Sequence, residues 1–490
     1  MRQHRLIRHI REFFRHRQHP IKIIGYTSKV LWLLLIPIVK YIVALRFDDF
    51  HSWFMSNWVD ILIITAIITI AILRWVFVFF EMDTKTITSH TGYFGLARTT
   101  LAFSDVSTVG MHQSSLQRLF GACTLYIDTT AASLSNTEIT LVLPKKRASH
   151  ILEFIADEST AEIKYTVDSK KRSQLAFSLF FSSSMSGVII FAGLLFEASR
   201  IVDRNIEIRL LNTAAGEISK FTSNIPFIIV IVALVIIGGW VLSFLANLMR
   251  YWHFSVTRQG SKLYVKSGIW TLRHDVMACR CINYIDITSS LLMKIFKICT
   301  INLNCAGYGD RRAEIPTIAP ISNEKEVEGT VEHLLPGMYG GQTTLRTGRK
   351  DILRFVGIPV FLLLLVPVLR AVAAGIFPRW VGEINVISLI ASVPFVWLII
   401  VKTAAAFHTG IGFNDTHCVM EYCRYYGFHR VVVEREKITS AAIFQSIPQK
   451  KTGYCSIAIY TMNEKVKVHM VKQLPLDTAM SILRTNGLAV

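Results

Sequence analysis

Leu116-Gln117-Arg118-Leu119-Phe120 and, 176 residues on, Leu292-Met293-Lys294-Ile295-Phe296 are one apolar segment met twice. Outward from it, Thr84 to Ile127 lies ungapped over Gly260 to Leu303, so the chain contains a duplicated module. In both copies a glycine (Gly92, Gly268) is followed fourteen positions later by an aliphatic residue (Val106, Ile282). A cysteine opens the next run, Cys123-Thr124-Leu125-Tyr126-Ile127 and Cys299-Thr300-Ile301-Asn302-Leu303. A third, looser copy repeats that run as Cys455-Ser456-Ile457-Ala458-Ile459. Apolar and polar residues mostly alternate there, the pattern of a strand with one buried face.

With 490 residues, 52% of them hydrophobic, and a mean hydropathy of +0.42, the chain is too apolar for an ordinary soluble protein. Six segments approach the ~20 residues a bilayer core requires: 23–45, 59–80, 175–196, 226–249, 352–376 and 385–406. They form three hairpins, and one copy of the repeat follows each. The net charge of +19 is unevenly placed. Residues 1–29 carry Arg2, Arg5, Arg8, Arg11, Arg15, Arg17, Lys22 and Lys29, whereas loop 46–58 has only Arg46 and loop 377–384 only Arg379. Positive residues stay inside, so both termini and all three repeats are expected on the cytoplasmic side of the membrane. Loop 197–225 is balanced and decides nothing. Charge concentrated at a membrane entry point argues against a nucleic-acid partner. All eight cysteines fall in the repeats, as reduced thiols of a reducing compartment would. The first span is expected to stay as an anchor, because no small-residue cleavage site follows it.

Residues 2–16 plot as a basic amphipathic helix with Leu6, Ile7, Ile10, Phe13 and Phe14 on one arc. Opposed to them, Arg8, Arg11 and Arg15 are candidate contacts to anionic lipid. In copy one the pattern predicts strands over Thr84–Thr88, Leu96–Phe103, Val106–Met111, Leu125–Asp128 and Glu138–Leu143. A helix then closes each module: Ser149 is placed to cap 150–158, Ser322 or Asn323 to cap 324–335, and Asp477 to cap 478–484. The expected class is an α+β membrane protein of six transmembrane helices in three hairpins. Each hairpin is followed by a small β-sandwich or barrel plugged by its C-terminal helix.

The order of hairpin, Gly turn, aliphatic at Val106 or Ile282, and Ser114-Ser115-Leu116-Gln117-Arg118-Leu119-Phe120-Gly121 resembles the bacterial pleckstrin-homology (PH) family of the DUF304 type. The triple arrangement is similar to the large YdbT-like membrane proteins of that family. On this reading residues 1–22 are the basic amphipathic segment and 23–80, 175–249 and 352–406 the hairpins. Residues 82–172, 251–336 and 407–490 are then PH-like domains, with 337–351 a linker. Copy three departs from the pattern, since Pro448, Lys451 and Thr452 stand where Leu116, Leu119 and Phe120 do, so its short helix is expected to be absent or exposed. The resemblance implies a lipid or phosphate site near Arg98, His274 and Arg430. It also implies a smaller single-PH-domain membrane protein as partner and a part in tolerance of membrane-active compounds.

No nucleophile elbow, phosphate-binding glycine loop or His-Glu-x-x-His is present, so the protein is expected not to be an enzyme and to carry no cofactor. Cys279, Cys281, Cys299 and Cys305 form the nearest metal-like set. However, Cys299 repeats Cys123 and Cys455, whose copies lack the other thiols, which points to a buried small apolar position and not to a metal. Lys40 and Arg370 fall toward outer span ends, Arg74 and Lys402 toward inner ones, and no acidic residue falls at a span centre. Gly238-Gly239, Pro359, Pro367 and Pro394 read as packing points or kinks. The expected function is a non-enzymatic inner-membrane scaffold, contacting lipids and partners and open to homo-oligomerisation, that acts in envelope stress. The alternative is a lipid or amphiphile transport protein.

Overall fold

A computed structural model describes residues 17–27, 58–92, 96–130, 139–156, 163–168, 171–180, 190–191, 193, 227–305, 317–323, 326–348, 351–461 and 467–488. Arg8, Arg11, Arg15 and Lys40, and most of the expected first and third spans, lie outside these residues. Among those described, three helices are long and apolar enough to cross a membrane, with a shorter apolar helix before the first module.

Apolar helix α1 (Trp58–Phe77) runs almost directly into strands β1 (Phe79–Met82), β2 (Thr86–Thr91) and β3 (Ala97–Ala102). A 3-10 corner at Phe103–Asp105 turns the chain into β4 (Val106–Gln113), and short helix α2 (Ser115–Leu119), β5 (Ala122–Thr129), β6 (Ile139–Pro144) and α3 (Lys145–Ala156) complete module 1. Next come β7 (Ile163–Asp168), α4 (Lys171–Phe180) and spanning helix α5 (Phe227–Tyr251). Module 2 repeats the plan with β8 (Ser255–Gln259), β9 (Lys262–Ser267), β10 (Leu272–Ala278), a corner at Cys279–Cys281, β11 (Ile282–Ser290), α6 (Leu291–Ile295), β12 (Ile298–Cys305), β13 (Thr317–Asn323) and α7 (Val327–Leu334). A two-residue strand β14 (Leu345–Arg346) precedes the spanning hairpin of α8 (Ile352–Ile376) and α9 (Val381–Phe407). Module 3 follows as β15 (Gly410–Phe413), β16 (His417–Arg424), β17 (Gly427–Glu434), a corner at Arg435–Lys437, β18 (Ile438–Phe444), α10 (Ile447–Thr452), β19 (Tyr454–Thr461), β20 (Lys467–Pro475) and α11 (Leu476–Thr485).

Each module is two three-stranded sheets joined at its corner. In module 1 Phe80, Ile87 and Leu101 of the first sheet face Val109, Leu125, Ile127 and Leu141 of the second. α3 seals the end with Ala148, Ile151, Leu152 and Ala156, the spacing that puts four side chains on one helical face. Burying each large aliphatic contributes about 1.5–3 kcal/mol. The repeated cysteines Cys123, Cys299 and Cys455 are buried at one equivalent position in the three cores. Burial pushes the thiols of Cys123 and Cys455 up to about 11, so they behave as small apolar side chains.

The modules are not separate bodies. The second sheet of module 1 continues into the first sheet of module 2 in the order β6-β5-β4-β10-β9-β8-β7. Module 2 is likewise joined to module 3 in the order β13-β12-β11-β17-β16-β15-β14. At seam 1 Val109 pairs with Val276 and Gly110 with Asp275; at seam 2 the equivalent residues pair in the same register, Ile285 with Val432 and Asp286 with Val431. Side chains cross as well. Tyr264 and Val276 of module 2 belong to the core of module 1, and Tyr284 of module 2 to the core of module 3.

The expected helix caps change. The closing helices start at Lys145, Val327 and Leu476, so Ser149 lies inside its helix and donates to the Lys146 carbonyl, while Ser322 and Asn323 end strand β13. The short helix of copy three is present and exposed, because Ser446 and Gln449 form the same reciprocal cap as Ser114 and Gln117, and proline is tolerated in a first turn. Pro359, Pro367 and Pro394 sit inside unbroken helices. A Cβ on Gly238 would overlap the Phe191 ring, which makes this glycine a helix-packing point.

Candidate functional site

The three short helices give the modules a common working face. Each is nucleated by a serine cap, with Ser114 accepting from Gln117 N, Ser290 from Met293 N, and Ser446 paired with Gln449. Each is ended by a left-handed residue, Gly121, Lys297 or Gly453. A five- or six-residue helix so pinned turns one apolar side chain far outward, while Met293 of the second points into the fold: Leu119 is 79% exposed, Ile295 66% and Ile447 79%. Phe120 and Phe296 are exposed beside them.

These side chains stand next to the module-side ends of the apolar helices. Ile269 N donates to Met249 O of α5 at 2.9 Å and Gly268 N to Trp252 O at 2.8 Å, so exposed Ile269 and Trp270 are carried at the helix end. Gly268 adopts φ 98°, and a Cβ there would collide with the Thr271 carbonyl, so the turn requires glycine. α2 grips this turn across seam 1, with Arg118 Nη2 donating to Ile269 O and Ser115 Oγ to Trp270 O, both at 2.9 Å. At seam 2 the equivalent Lys294 lies 4.6 Å from the Phe428 ring centroid, and Leu291 packs with Phe428, Val401 and Ala405 at the end of α9. In module 3 Arg354, in the first turn of α8, stacks on Tyr454 at 3.5 Å.

Seam 2 opens on this face as a cavity of about 260 Å³ lined by Lys294, Arg346, His408, Glu421, His429 and Arg430 among others. Glu421 answers part of the positive charge, with oxygens 3.7 Å from Arg430 Nε and 3.5 Å from Arg346 Nη2. The His429 ring nitrogen lies 3.0 Å from an Asp286 oxygen. Two carboxylates, Glu421 in the lining and Asp286 behind His429, against three permanent cations leave the cavity net positive, which suits an anionic group at a membrane surface.

Arg98, His274 and Arg430 occupy one equivalent position, on β3, β10 and β17 and not in loops. Their surroundings differ. Arg98 is exposed on a sheet edge, His274 pairs opposite Met111 inside seam 1, and Arg430 opposite Ile287 lines the cavity. Lys294 and Arg346 were missed by sequence reasoning, since they reach the cavity from a short helix and a linker far apart in the chain. The equivalence of Lys294 with Arg118 was the available signal.

Burial, reinforced by Lys266 and partly opposed by Asp275, pushes His274 down to about 4 from its ordinary 6.5. A base whose folded value is depressed is neutral in the fold, so between these values the unfolded chain takes up a proton that the fold refuses. Seam 1 is therefore expected to lose stability as pH falls from 6.5 toward 4 and to hold it above that window. Hydrogen exchange of the β4 and β10 amides checks this; His274→Gln should flatten the dependence, and an unchanged slope would remove His274 as its source.

A family model described as "Bacterial PH domain" matches residues 28–159 and 208–335. The chain is 19% identical over 423 residues to the UPF0699 transmembrane protein YdbT of Bacillus subtilis (strain 168), a match that covers 82% of each chain. No solved structure matches. The third module lies outside the two matched segments but repeats their strand order, corner and short helix. With more than half its length matched and three spanning-length helices between its modules, the chain is a multi-pass membrane protein belonging to the bacterial PH domain family.

Proposed function

We propose that the protein is a non-enzymatic scaffold of the bacterial inner membrane. Its three modules lie against the cytoplasmic leaflet and hold an anionic lipid headgroup in the cavity of seam 2. The observation that carries this reading is the threefold repetition of a capped short helix with outward apolar side chains beside the module-side helix ends. Exposing Leu119, Phe120, Ile295 and Phe296 to water forfeits burial free energy, and a leaflet interface restores it. Arg74 and Arg250 in the last turns of α1 and α5, with Lys402 in the module-side part of α9, agree with a cytoplasmic placement. Family resemblance extends the reading to a smaller single-PH-domain membrane protein as partner and to tolerance of membrane-active compounds.

The test is native mass spectrometry of the full-length protein with anionic and zwitterionic phospholipids. Each basic residue near a charged surface contributes about 1 kcal/mol, so Lys294→Gln and Arg430→Gln are each expected to weaken retention of anionic lipid about fivefold and to leave zwitterionic lipid unchanged. Equal retention by both variants would sink the headgroup reading.

A further inference from the structure

The two seams follow one rule: the corner strand that opens a module's second sheet (β4, β11) pairs with the last strand of the next module's first sheet (β10, β17). Among the described residues two strands are left outside the rule. β18 is equivalent to β4 and β11 and is an edge of the β18-β19-β20 sheet; β3 is equivalent to β10 and β17 and is an edge of the β1-β2-β3 sheet. Among the described residues one chain thus presents one edge of each kind. We propose that β18 of one copy pairs antiparallel with β3 of a second copy, continuing the register of the two internal seams, so that the protein assembles head to tail in the membrane plane.

Three features of the edges support the second copy as occupant. First, residues buried at the internal seams are uncovered at the ends. Ser107, Thr108, Asn283 and Tyr284 are buried while their equivalents Thr439 and Ser440 are exposed, and Val276 and Val432 are buried while Thr100 is exposed. Second, β18 reads Ile-Thr-Ser-Ala-Ala-Ile-Phe, with no charge, proline or glycine to guard it, although free sheet edges ordinarily carry such protection. Carrying the internal register forward places Ala441 opposite Thr100, Ala442 opposite Thr99 and Ile443 opposite Arg98, with no like charges opposed. Third, α10 carries Lys450 at the position of Arg118 and Lys294, both of which reach across a seam to the next module; Lys450 is exposed. Such a contact is heterologous, and copies so joined close into a ring or run on as a row.

The experiment joins two differently tagged full-length copies in one membrane, one with Thr99→Cys and the other with Ala442→Cys, under mild oxidation. Directly opposed residues on one face bring Cβ atoms within disulfide reach, whereas a one-residue shift turns one of them to the opposite face. The expected result is a covalent dimer carrying both tags, at least tenfold more abundant than with Thr100→Cys against Ala442→Cys or with either variant alone against native cysteines. Native mass spectrometry of the unmodified protein should show multiples of 55.5 kDa. A single-copy mass with no heterotypic cross-link overturns the proposal. So does cross-linking of Thr99→Cys or Ala442→Cys to a smaller protein in place of the second copy, because that partner would then own the edge. Lipid retention is unaffected by these variants, so failure here leaves the headgroup reading standing.

Discussion

Tyr284→Ala is expected to loosen module 3 from the rest of the protein by about 3–5 kcal/mol, the range for removing a large buried ring. Tyr284 belongs to β11 of module 2 but is 0% exposed among Ile411, Met420, Val431, Val433 and Ile457 of module 3. Its ring meets His469 edge-on at 4.8 Å, and His469 Nδ1 lies 2.9 Å from the Tyr422 hydroxyl. Truncation removes a wall of the second core and the ring that holds His469. Close-packed interiors do not collapse fully around a hole of that size. Amides of β17 to β20 should then exchange about a hundredfold to a few thousandfold faster through local opening, while those of β1 to β6 keep their rates. Tyr284→Phe, which keeps the ring, should show a small fraction of this effect. Equal acceleration in modules 1 and 3 would mean that Tyr284 supports the whole chain and does not lock one seam.

The elements of a module could be read from its sequence, because each alternates or caps locally: Val106–Met111 and Leu125–Asp128 fall within strands, as do residues 139–143 of the expected strand 138–143, whose first residue lies outside the described ones. The shared sheets could not. They rest on pairings such as Gly110 with Asp275, and no local period carries a contact between residues 165 positions apart. A trace was present in the buried strands themselves. Val431-Val432-Val433 and the run from Ile282 to Ile287 are apolar or buried at successive positions, as central strands with two covered faces must be. The closing helix of module 1 was placed late, because Lys145-Lys146-Arg147 reads as a polar loop. In the fold Lys145 N donates to the Gly121 carbonyl, which fixes the helix start directly after Pro144. The cavity was half legible: Arg430 was singled out, but Lys294 and Arg346 join it only once seam 2 has formed.

Gly110→Val is expected to open seam 1 at a comparable cost. An ideal Cβ on Gly110 would lie 2.5 Å from Asp275 Oδ1, the same oxygen that meets His112 Nε2 at 2.8 Å. Both partners are almost wholly buried, so a side chain at position 110 must displace the carboxylate and strand it without its imidazole. Breaking a buried pair in this way typically costs about 3–5 kcal/mol, most of it the penalty of the uncompensated charge. Seam 2 shows how the same geometry works with the roles exchanged: the residue equivalent to Gly110 is Asp286, its partner His429 comes from the opposite strand, and Val431 stands where Asp275 does. That exchange supplies a rescue. Gly110→Val with Asp275→Ala removes the displaced carboxylate together with the clash, so the double variant should be less destabilised than the sum of the single ones by at least about 1 kcal/mol, as contacting residues usually are. Exchange rates of the β4 and β10 amides measure both effects. Strict additivity would show that Gly110 is needed for backbone reasons of its own, and not to make room for the carboxylate that ties module 2 to module 1.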